Sequence, residues 1–201
     1  MKRIVFDIET QKLFSEIKNK NNIWDLLMST CVTDCFEDDE YKFWTYLTKD
    51  SLLEYLNGNM LIGFNSINFD LRVLLGPDTV IHDDFTVSSQ SKNFKCSNYD
   101  IYLNVHRAIS NSSTYSSVIE FMKKNRQAPG LYSLDGIAIS TLGNSIKKNG
   151  KGELAPDLFK AKKVVELFQY NLQDVRVTKK VYEFILRYKY VVNGNYDIIK
   201  L

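Results

Sequence analysis

The most constraining feature of this sequence is the run "IVFDIET" at residues 4–10. An apolar run of this length is typical of a buried strand, yet it carries Asp7 and Glu9, two residues apart. Side chains at i and i+2 share one face of a strand, so both acids point the same way. Two adjacent negative charges cost free energy unless a positive charge lies between them. We therefore expect Phe6 and Ile8 to face the core, while Asp7 and Glu9 face outward to a bound cation.

Two further carboxylates lie in apolar surroundings. Asp70 ends "GFNSINFD", where a strand gives way to a helix, and Asp174 ends "YNLQD", on the same helical face as Tyr170. Taken singly, each has an ordinary explanation, a helix N-cap for Asp70 and a solvated side chain for Asp174. Taken with the first pair, they supply the oxygen ligands that Mg²⁺ and Mn²⁺ prefer. Two such ions about 4 Å apart can stabilise the attacking and leaving oxygens of phosphodiester cleavage.

The hydrophobic pattern predicts an α/β fold in which a mixed β-sheet is flanked by helices. No repeat or linker divides the chain, so residues 1–201 are predicted to form a single domain. The predicted strands are Met1–Ile8, a hairpin of Leu26–Phe36 and Tyr41–Leu47, Asn59–Asn65 and Asn98–Val105. The predicted helices are one capped by Ser51 and ended by Gly58, one stopped by Gly76, one from Ser133 to Gly143, and a long one over Asp157–Tyr190. The topology of residues 78–130 is not predicted.

Composition excludes several classes of protein. The chain is 44% apolar and 25% charged with three prolines, which is typical of a folded protein. No apolar run approaches the roughly 20 residues that span a bilayer, so no membrane partner is expected. Acids interrupt the N-terminal apolar run, so no signal peptide is expected. Cys31, Cys35 and Cys96 are expected to be free thiols rather than zinc ligands. We expect a cytoplasmic protein, in the host cytoplasm if a phage encodes it.

Charge is divided unequally along the chain. Residues 1–100 carry a net charge of −6 and residues 101–201 a net charge of +8. An acidic half and a basic half suit a metal centre beside a surface that meets phosphates, although solvated helix faces explain the same distribution equally well. The basic loop with Lys147, Lys148 and Lys151 is a candidate for tracking backbone phosphates. An ordinary solvated surface loop explains these lysines too.

In this order, "FDIET", "NSINFD" and "YNLQD" resemble the three motifs of the DEDD (DnaQ-like) 3′–5′ exonucleases, members of the RNase H-like superfamily. The third motif resembles the family's Tyr-x-x-x-Asp variant; the other variant has His where this chain has Gln169. The spacing from Asn65 to Asp70, with Phe69 before the acid, looks most like the exonuclease domain of family-B DNA polymerases. The stretch "SLDGIAISTLG" ahead of the third motif strengthens that likeness. The resemblance runs from residue 4 to about residue 185.

The resemblance implies an RNase H-like fold and two divalent cations, Mg²⁺ or Mn²⁺. It implies removal of nucleoside 5′-monophosphates from the 3′ end of single-stranded nucleic acid, with DNA favoured over RNA. By this similarity Asp7, Glu9 and Asp174 hold the ion that activates water, and Asp7 bridges to a second ion assisted by Asp70. Tyr170 orients the water, because a tyrosine hydroxyl is too weak an acid to act as a base at neutral pH.

The same resemblance implies a groove for the terminal nucleotides. Asn65 and Phe69 line it, Phe69 by stacking, and plain core packing explains Phe69 equally well. The implied partners are single-stranded DNA or RNA 3′ ends, together with a separate polymerase if the chain is a proofreading subunit. A nucleic-acid-binding module without chemistry and a structure-selective nuclease on the same fold also fit the sequence. Four further acids are left outside the site: Asp83, Asp84, Asp100 and Asp135.

Overall fold

A computed structural model describes residues 1–125, 130–143 and 154–201. Its centre is a seven-stranded mixed sheet. The strands are β1 (Arg3–Thr10), β2 (Met28–Cys35), β3 (Glu40–Thr45), β4 (Met60–Gly63), β5 (Thr79–Ile81), β6 (Val87–Ser89) and β7 (Phe94–Asp100). They lie in the order β3-β2-β1-β4-β7-β6-β5, and β1 is antiparallel to β2 and parallel to β4. The predicted hairpin is confirmed as β2 and β3.

Helices cover the sheet, so the predicted mixed sheet flanked by helices is confirmed. They are α1 (Lys49–Leu56), α2 (Asp70–Leu75), α3 (Ile101–Ser110), α4 (Tyr115–Lys124), α5 (Leu134–Leu142), α6 (Ala155–Lys160) and α7 (Val164–Tyr188). Two short strands, β8 (Tyr190–Val192) and β9 (Ile198–Lys200), form a separate hairpin. Within the described ranges, no helix is long and apolar enough to cross a membrane.

Strand β1 is covered on both faces. Ile4, Phe6 and Ile8 enter an apolar layer with residues of α1 and α2, as predicted for Phe6 and Ile8. Val5, on the opposite face, enters a second layer with residues of α3, α5 and α7. Asp7 and Glu9 share the face of Val5. Because α7 packs across that face, Glu9 is only 7% exposed and Asp7 is half-buried, so both acids point into a partly covered space.

The strand predicted over Asn98–Val105 is wrong beyond Asp100. Strand β7 ends at Asp100, whose carboxylate accepts the Leu103 N–H at 3.2 Å and so caps α3. The apolar residues whose alternation is typical of a strand are instead buried on helix α3. Helix α3 packs against α4 and the sheet, so both sides of it are buried and its burial pattern is not a single stripe.

The long helix predicted over residues 157–190 is two helices. Helix α6 ends at Lys160, the backbone of Lys162 is left-handed with φ of 57°, and α7 begins at Val164. The helical spacing of the apolar residues Val164, Phe168, Leu172, Val175 and Tyr182 predicts one buried stripe. Val164, the first of them, is instead 42% exposed, because it lies at a helix end. The later stripe residues Val175 and Tyr182 are buried as predicted. A smaller correction applies to α1, which starts at Lys49, so Ser51 lies inside that helix and does not cap it.

A nearly buried ion pair joins α7 to the sheet. The Lys179 ammonium of α7 lies 2.8 Å from the Asp34 carboxylate of β2, and the two side chains are 17% and 1% exposed. Removing one partner of such a pair leaves a charge in a poorly solvated place. The position of α7 over β1 and β2 thus depends partly on this contact.

We predict that Lys179→Met lowers the free energy of unfolding by about 3 kcal/mol, because it leaves the Asp34 carboxylate without its cation. Urea unfolding followed by circular dichroism measures the change. Lys124→Met, which breaks the exposed Lys124–Glu120 pair, is the matched control and should leave the midpoint unchanged. Adding Asp34→Asn to Lys179→Met should restore part of the loss. Equal effects of the two lysine substitutions would contradict the prediction.

Candidate metal and nucleic-acid site

Three of the predicted carboxylates meet at one point. One oxygen each from Asp7, Glu9 and Asp174 lies within 4.8 Å of the others. Asp7 and Glu9 project from β1, and Asp174 reaches them from α7, which lies across the strand. Asp7 is half-buried, whereas Glu9 and Asp174 are buried. Three close carboxylates out of bulk water repel one another, so this arrangement favours a bound cation.

Asp70 lies beside this triad. It is the first residue of α2, and its Oδ1 accepts the backbone N–H of Ile8, between the two acids of β1, at 3.1 Å. The ordinary explanation of Asp70 as an N-cap is therefore wrong, since Phe69 occupies the cap position. Parallel pairing with β4 ends at Val5, so the Ile8 N–H has no strand partner on that side and is bonded by Asp70.

The site holds strong negative potential. Burial raises the pKa of Asp70 to about 8, the Ile8 N–H opposes this, and the nearby Asp100 and Asp174 carboxylates reinforce it. Burial, together with Asp7 and Asp70, also holds the pKa of the Cys31 thiol well above its usual range. Without metal, the Asp70 carboxyl therefore keeps its proton at neutral pH. A cation bound here would displace that proton.

The donor set fits a hard divalent cation. Asp7, Glu9 and Asp174 present only carboxylate oxygens, the ligands that suit Mg²⁺ and Mn²⁺. The Cys31 thiol stays protonated and buried, so it does not compete as a soft ligand.

Helix α7 supplies two more side chains to the site. Tyr170 lies one turn before Asp174, and both are buried on the same face, as the four-residue spacing predicts. Asn171 is a site residue that sequence reasoning missed; its Nδ2 donates to Asp7 Oδ2 at 2.6 Å. Asn171 lies three residues before Asp174 and therefore on the same helical face, which is the sequence signal that could have identified it. This hydrogen bond fixes the orientation of the Asp7 carboxylate.

A tight loop connects β4 to α2 and carries Asn65. A Cβ at Gly63 would lie 2.5 Å from the Ser66 Cβ, so the turn requires glycine there. Asn65 itself has a left-handed backbone with φ of 60°. The Asn65 N–H donates to Asp100 Oδ1 at 2.9 Å, and the Ile67 N–H donates to Asp100 Oδ2 at 3.0 Å. Asp100, set aside in the sequence analysis, therefore holds this loop.

Aromatic rings and a cavity lie beside the acids. Phe69 packs on the core, and its ring centroid is 6.1 Å from that of Phe14, a residue 45% exposed that sequence reasoning missed. A cavity of about 610 Å³ between α6 and α7 is lined in part by Tyr170 and Gln173. The predicted phosphate contacts at 147, 148 and 151 lie outside the described residues.

A solved structure of similar fold is that of the family B DNA polymerase from the hyperthermophilic archaeon Pyrobaculum calidifontis. It aligns with a TM-score of 0.60 and 14% identity over 92% of this chain. The fold is RNase H-like. The chain spans 24% of the length of that polymerase, and at this identity the likeness concerns the fold alone. No protein-family model matches the sequence, and no curated protein matches it.

We predict that in EDTA the thermal unfolding midpoint falls as the pH rises from about 5 to about 9. The pKa of Asp70 is about 8 in the folded state against an ordinary 3.8, so the folded state keeps a proton that the unfolded state loses. This stabilisation is complete below pH 3.8 and is lost as pH rises through 8. The pKa of Asp100, raised by burial to about 6, acts in the same direction.

Asp70→Asn should flatten this pH dependence, because the amide does not titrate. Asp78→Asn is the matched control; hydrogen bonds from Ser91 and Ser89 lower the pKa of Asp78 to about 2, so its titration lies below the tested range. Differential scanning fluorimetry at several pH values gives the midpoints. A wild-type midpoint that rises with pH, or an unchanged slope in Asp70→Asn, would contradict the assignment.

Proposed function

We propose that this chain is a metal-dependent 3′–5′ exonuclease that removes nucleoside 5′-monophosphates from single-stranded nucleic acid, DNA in preference to RNA. The observation that carries the proposal is the meeting of Asp7, Glu9 and Asp174 beneath the helix that bears Tyr170. A triad of carboxylates in a covered space suits cation binding next to a phosphodiester. An RNase H-like fold, with the site toward the C-terminal end of β1, is compatible with this chemistry.

In this proposal the four acids hold the metal. Asp7, Glu9 and Asp174 bind one divalent cation, Mg²⁺ or Mn²⁺, and Asp7 with Asp70 binds a second. When bound, the cations offset the negative charge that develops on the phosphate and the departing oxygen. Asn171 keeps one oxygen of Asp7 in a fixed direction by its 2.6 Å hydrogen bond, so fewer orientations of that ligand must be frozen on binding.

The remaining side chains position water and substrate. The Tyr170 hydroxyl, one helical turn from Asp174, orients the attacking water by hydrogen bonding. Asn65 and Phe69 contact the terminal nucleotides, with the half-exposed ring of Phe14 beside Phe69 widening the apolar surface. Unstacked bases can lie on such rings whereas bases inside a duplex cannot, which supports a single-stranded substrate. The lysines at 147, 148 and 151 remain predicted phosphate contacts.

We predict that, with Mg²⁺ or Mn²⁺, the protein shortens a 5′-labelled single-stranded oligonucleotide stepwise from its 3′ end. Asp7→Ala should reduce the rate on the order of a thousandfold, since it removes a ligand shared by both cations. Tyr170→Phe should reduce it about tenfold, because positioning is lost while the cations remain. Denaturing gels resolve the products, and DNA and RNA substrates run side by side establish the preference.

Asp84→Ala is the matched control for this assay. The Asp84 carboxylate accepts hydrogen bonds from Thr86 in the turn between β5 and β6, so its loss should leave the rate unchanged. Internal products would indicate a structure-selective nuclease instead. Binding without shortening would indicate a nucleic-acid-binding module. Shortening that needs an added polymerase would indicate a proofreading subunit.

We predict that Phe69→Ala raises the dissociation constant for a single-stranded oligonucleotide about 5- to 150-fold, because stacking contributes about 1–3 kcal/mol per base. Fluorescence anisotropy in the Asp7→Ala background measures binding without cleavage. Phe184→Ala is the control, since its ring stacks on Tyr188 about 15 Å along α7 from Asp174. If both substitutions weaken binding equally, Phe69 acts through the core and not through the bases.

A further inference from the structure

We infer that Asp100 is a positioning residue that sets the loop of residues 65–69 for nucleotide binding. The inference rests on the proposed function, because it assigns a role toward the same substrate. Asp100 ends β7 directly beside Gly63, the last residue of β4, and it is 1% exposed. It therefore stands at the point where the loop leaves the sheet.

The Asp100 carboxylate joins three parts of the fold. Its Oδ1 accepts the N–H of Asn65 at 2.9 Å and the N–H of Leu103 at 3.2 Å. Its Oδ2 accepts the N–H of Ile67 at 3.0 Å. The two oxygens of this one side chain thus hold the end of β4, the loop and the start of α3. The Ile67 and Leu103 N–H groups are buried and the Asn65 N–H group is part-buried, so leaving them without an acceptor is costly.

Helix capping alone does not explain an aspartate at this position. Serine, threonine and asparagine cap helices about as well as aspartate, and the Leu103 N–H needs only one oxygen. The loop requires both oxygens at once, and only an ionised carboxylate accepts at both. An asparagine would place an NH₂ donor against an N–H donor. A serine would be too short to reach the loop while it caps α3.

The loop needs such an anchor because its backbone is strained. A left-handed φ of 60° at Asn65 is uncommon for a residue other than glycine and persists only when the surroundings hold it. On its other side the loop is tied by the Tyr115 hydroxyl, which donates to Asn68 Oδ1 at 2.6 Å. Asp70, at the end of the loop, has its own anchor in the Ile8 N–H.

The loop is held by Asp100, whereas Asp70 is held by the Ile8 N–H, so a change at Asp100 should affect substrate binding more than catalysis. Loosening Asp100 should displace Asn65 and Phe69, which contact substrate, more than Asp70, which serves the metal. We therefore expect KM for a single-stranded oligonucleotide to rise more than kcat falls. Asp100→Asn also removes a negative charge near the site. By itself this loss of charge would strengthen the binding of an anionic substrate and lower KM, so it opposes the expected rise in KM.

The test is Asp100→Asn, assayed on a 5′-labelled oligonucleotide well below the unfolding midpoint. KM should rise about tenfold while kcat changes by less than about threefold. Ser133→Ala is the matched control; the Ser133 Oγ caps α5 by accepting the Gly136 N–H at 3.0 Å and donates to the Gly130 carbonyl. Its loss should lower the midpoint and leave KM unchanged. A wild-type KM in folded Asp100→Asn, or an equal rise in Ser133→Ala, overturns the inference.

Hydrogen exchange of the wild-type protein, followed by NMR, tests the same inference without any variant. The Asn65 and Ile67 amides should exchange as slowly as that of Leu61 inside β4; exchange as fast as in the exposed turn at Asp84 overturns the inference. If wild type binds oligonucleotide without shortening it, the proposed function is lost, and a tenfold weaker dissociation constant in Asp100→Asn still supports the inference. If wild type neither shortens nor binds oligonucleotide, both proposals are overturned.

Discussion

The structure around β1 depends on how negative charge is held in a covered space. Three carboxylates, Asp7, Glu9 and Asp174, have oxygens within 4.8 Å of one another on a sheet that is packed on both faces. Such a cluster opposes folding unless donors and a cation offset the repulsion. The Asn171 amide gives Asp7 one donor. Cation binding and the closure of α7 over β1 are therefore expected to favour each other, because each makes the other less costly.

Carboxylates in this region serve two different purposes. Both oxygens of Asp100 accept backbone N–H groups, from Asn65, Ile67 and Leu103, so this carboxylate organises the chain. The triad carboxylates instead converge on one another. Asp70 is intermediate between these cases, since one oxygen accepts the Ile8 N–H while burial, reinforced by Asp100 and Asp174, raises the pKa of the carboxyl group. A carboxyl group in this state can exchange its proton for a cation.

Local spacing explains what could be predicted from the sequence. The i, i+2 relation placed Asp7 and Glu9 on one face, and the i, i+4 relation placed Tyr170 and Asp174 on another, because these periods are set by the backbone. Asn171 and Asp100 were missed because their hydrogen-bond partners are distant in the sequence. Asp7 lies 164 residues from Asn171, and Asn65 lies 35 residues from Asp100. The strand assigned to Asn98–Val105 failed for a related reason: alternation was visible, whereas the burial of α3 on two sides depends on tertiary packing.

Unequal strand lengths account for the position of the site. Strand β1 has 8 residues, whereas its parallel neighbour β4 has 4, and their pairing ends at Val5. Beyond that point the edge of β1 facing β4 lacks a strand partner, which lets Asp70 bond to Ile8. The same early end of β4 forces the chain to turn sharply at Gly63, so the loop needs the left-handed Asn65 and the Asp100 anchor. The Asp70–Ile8 contact and the loop of residues 65–69 are therefore two consequences of one short strand.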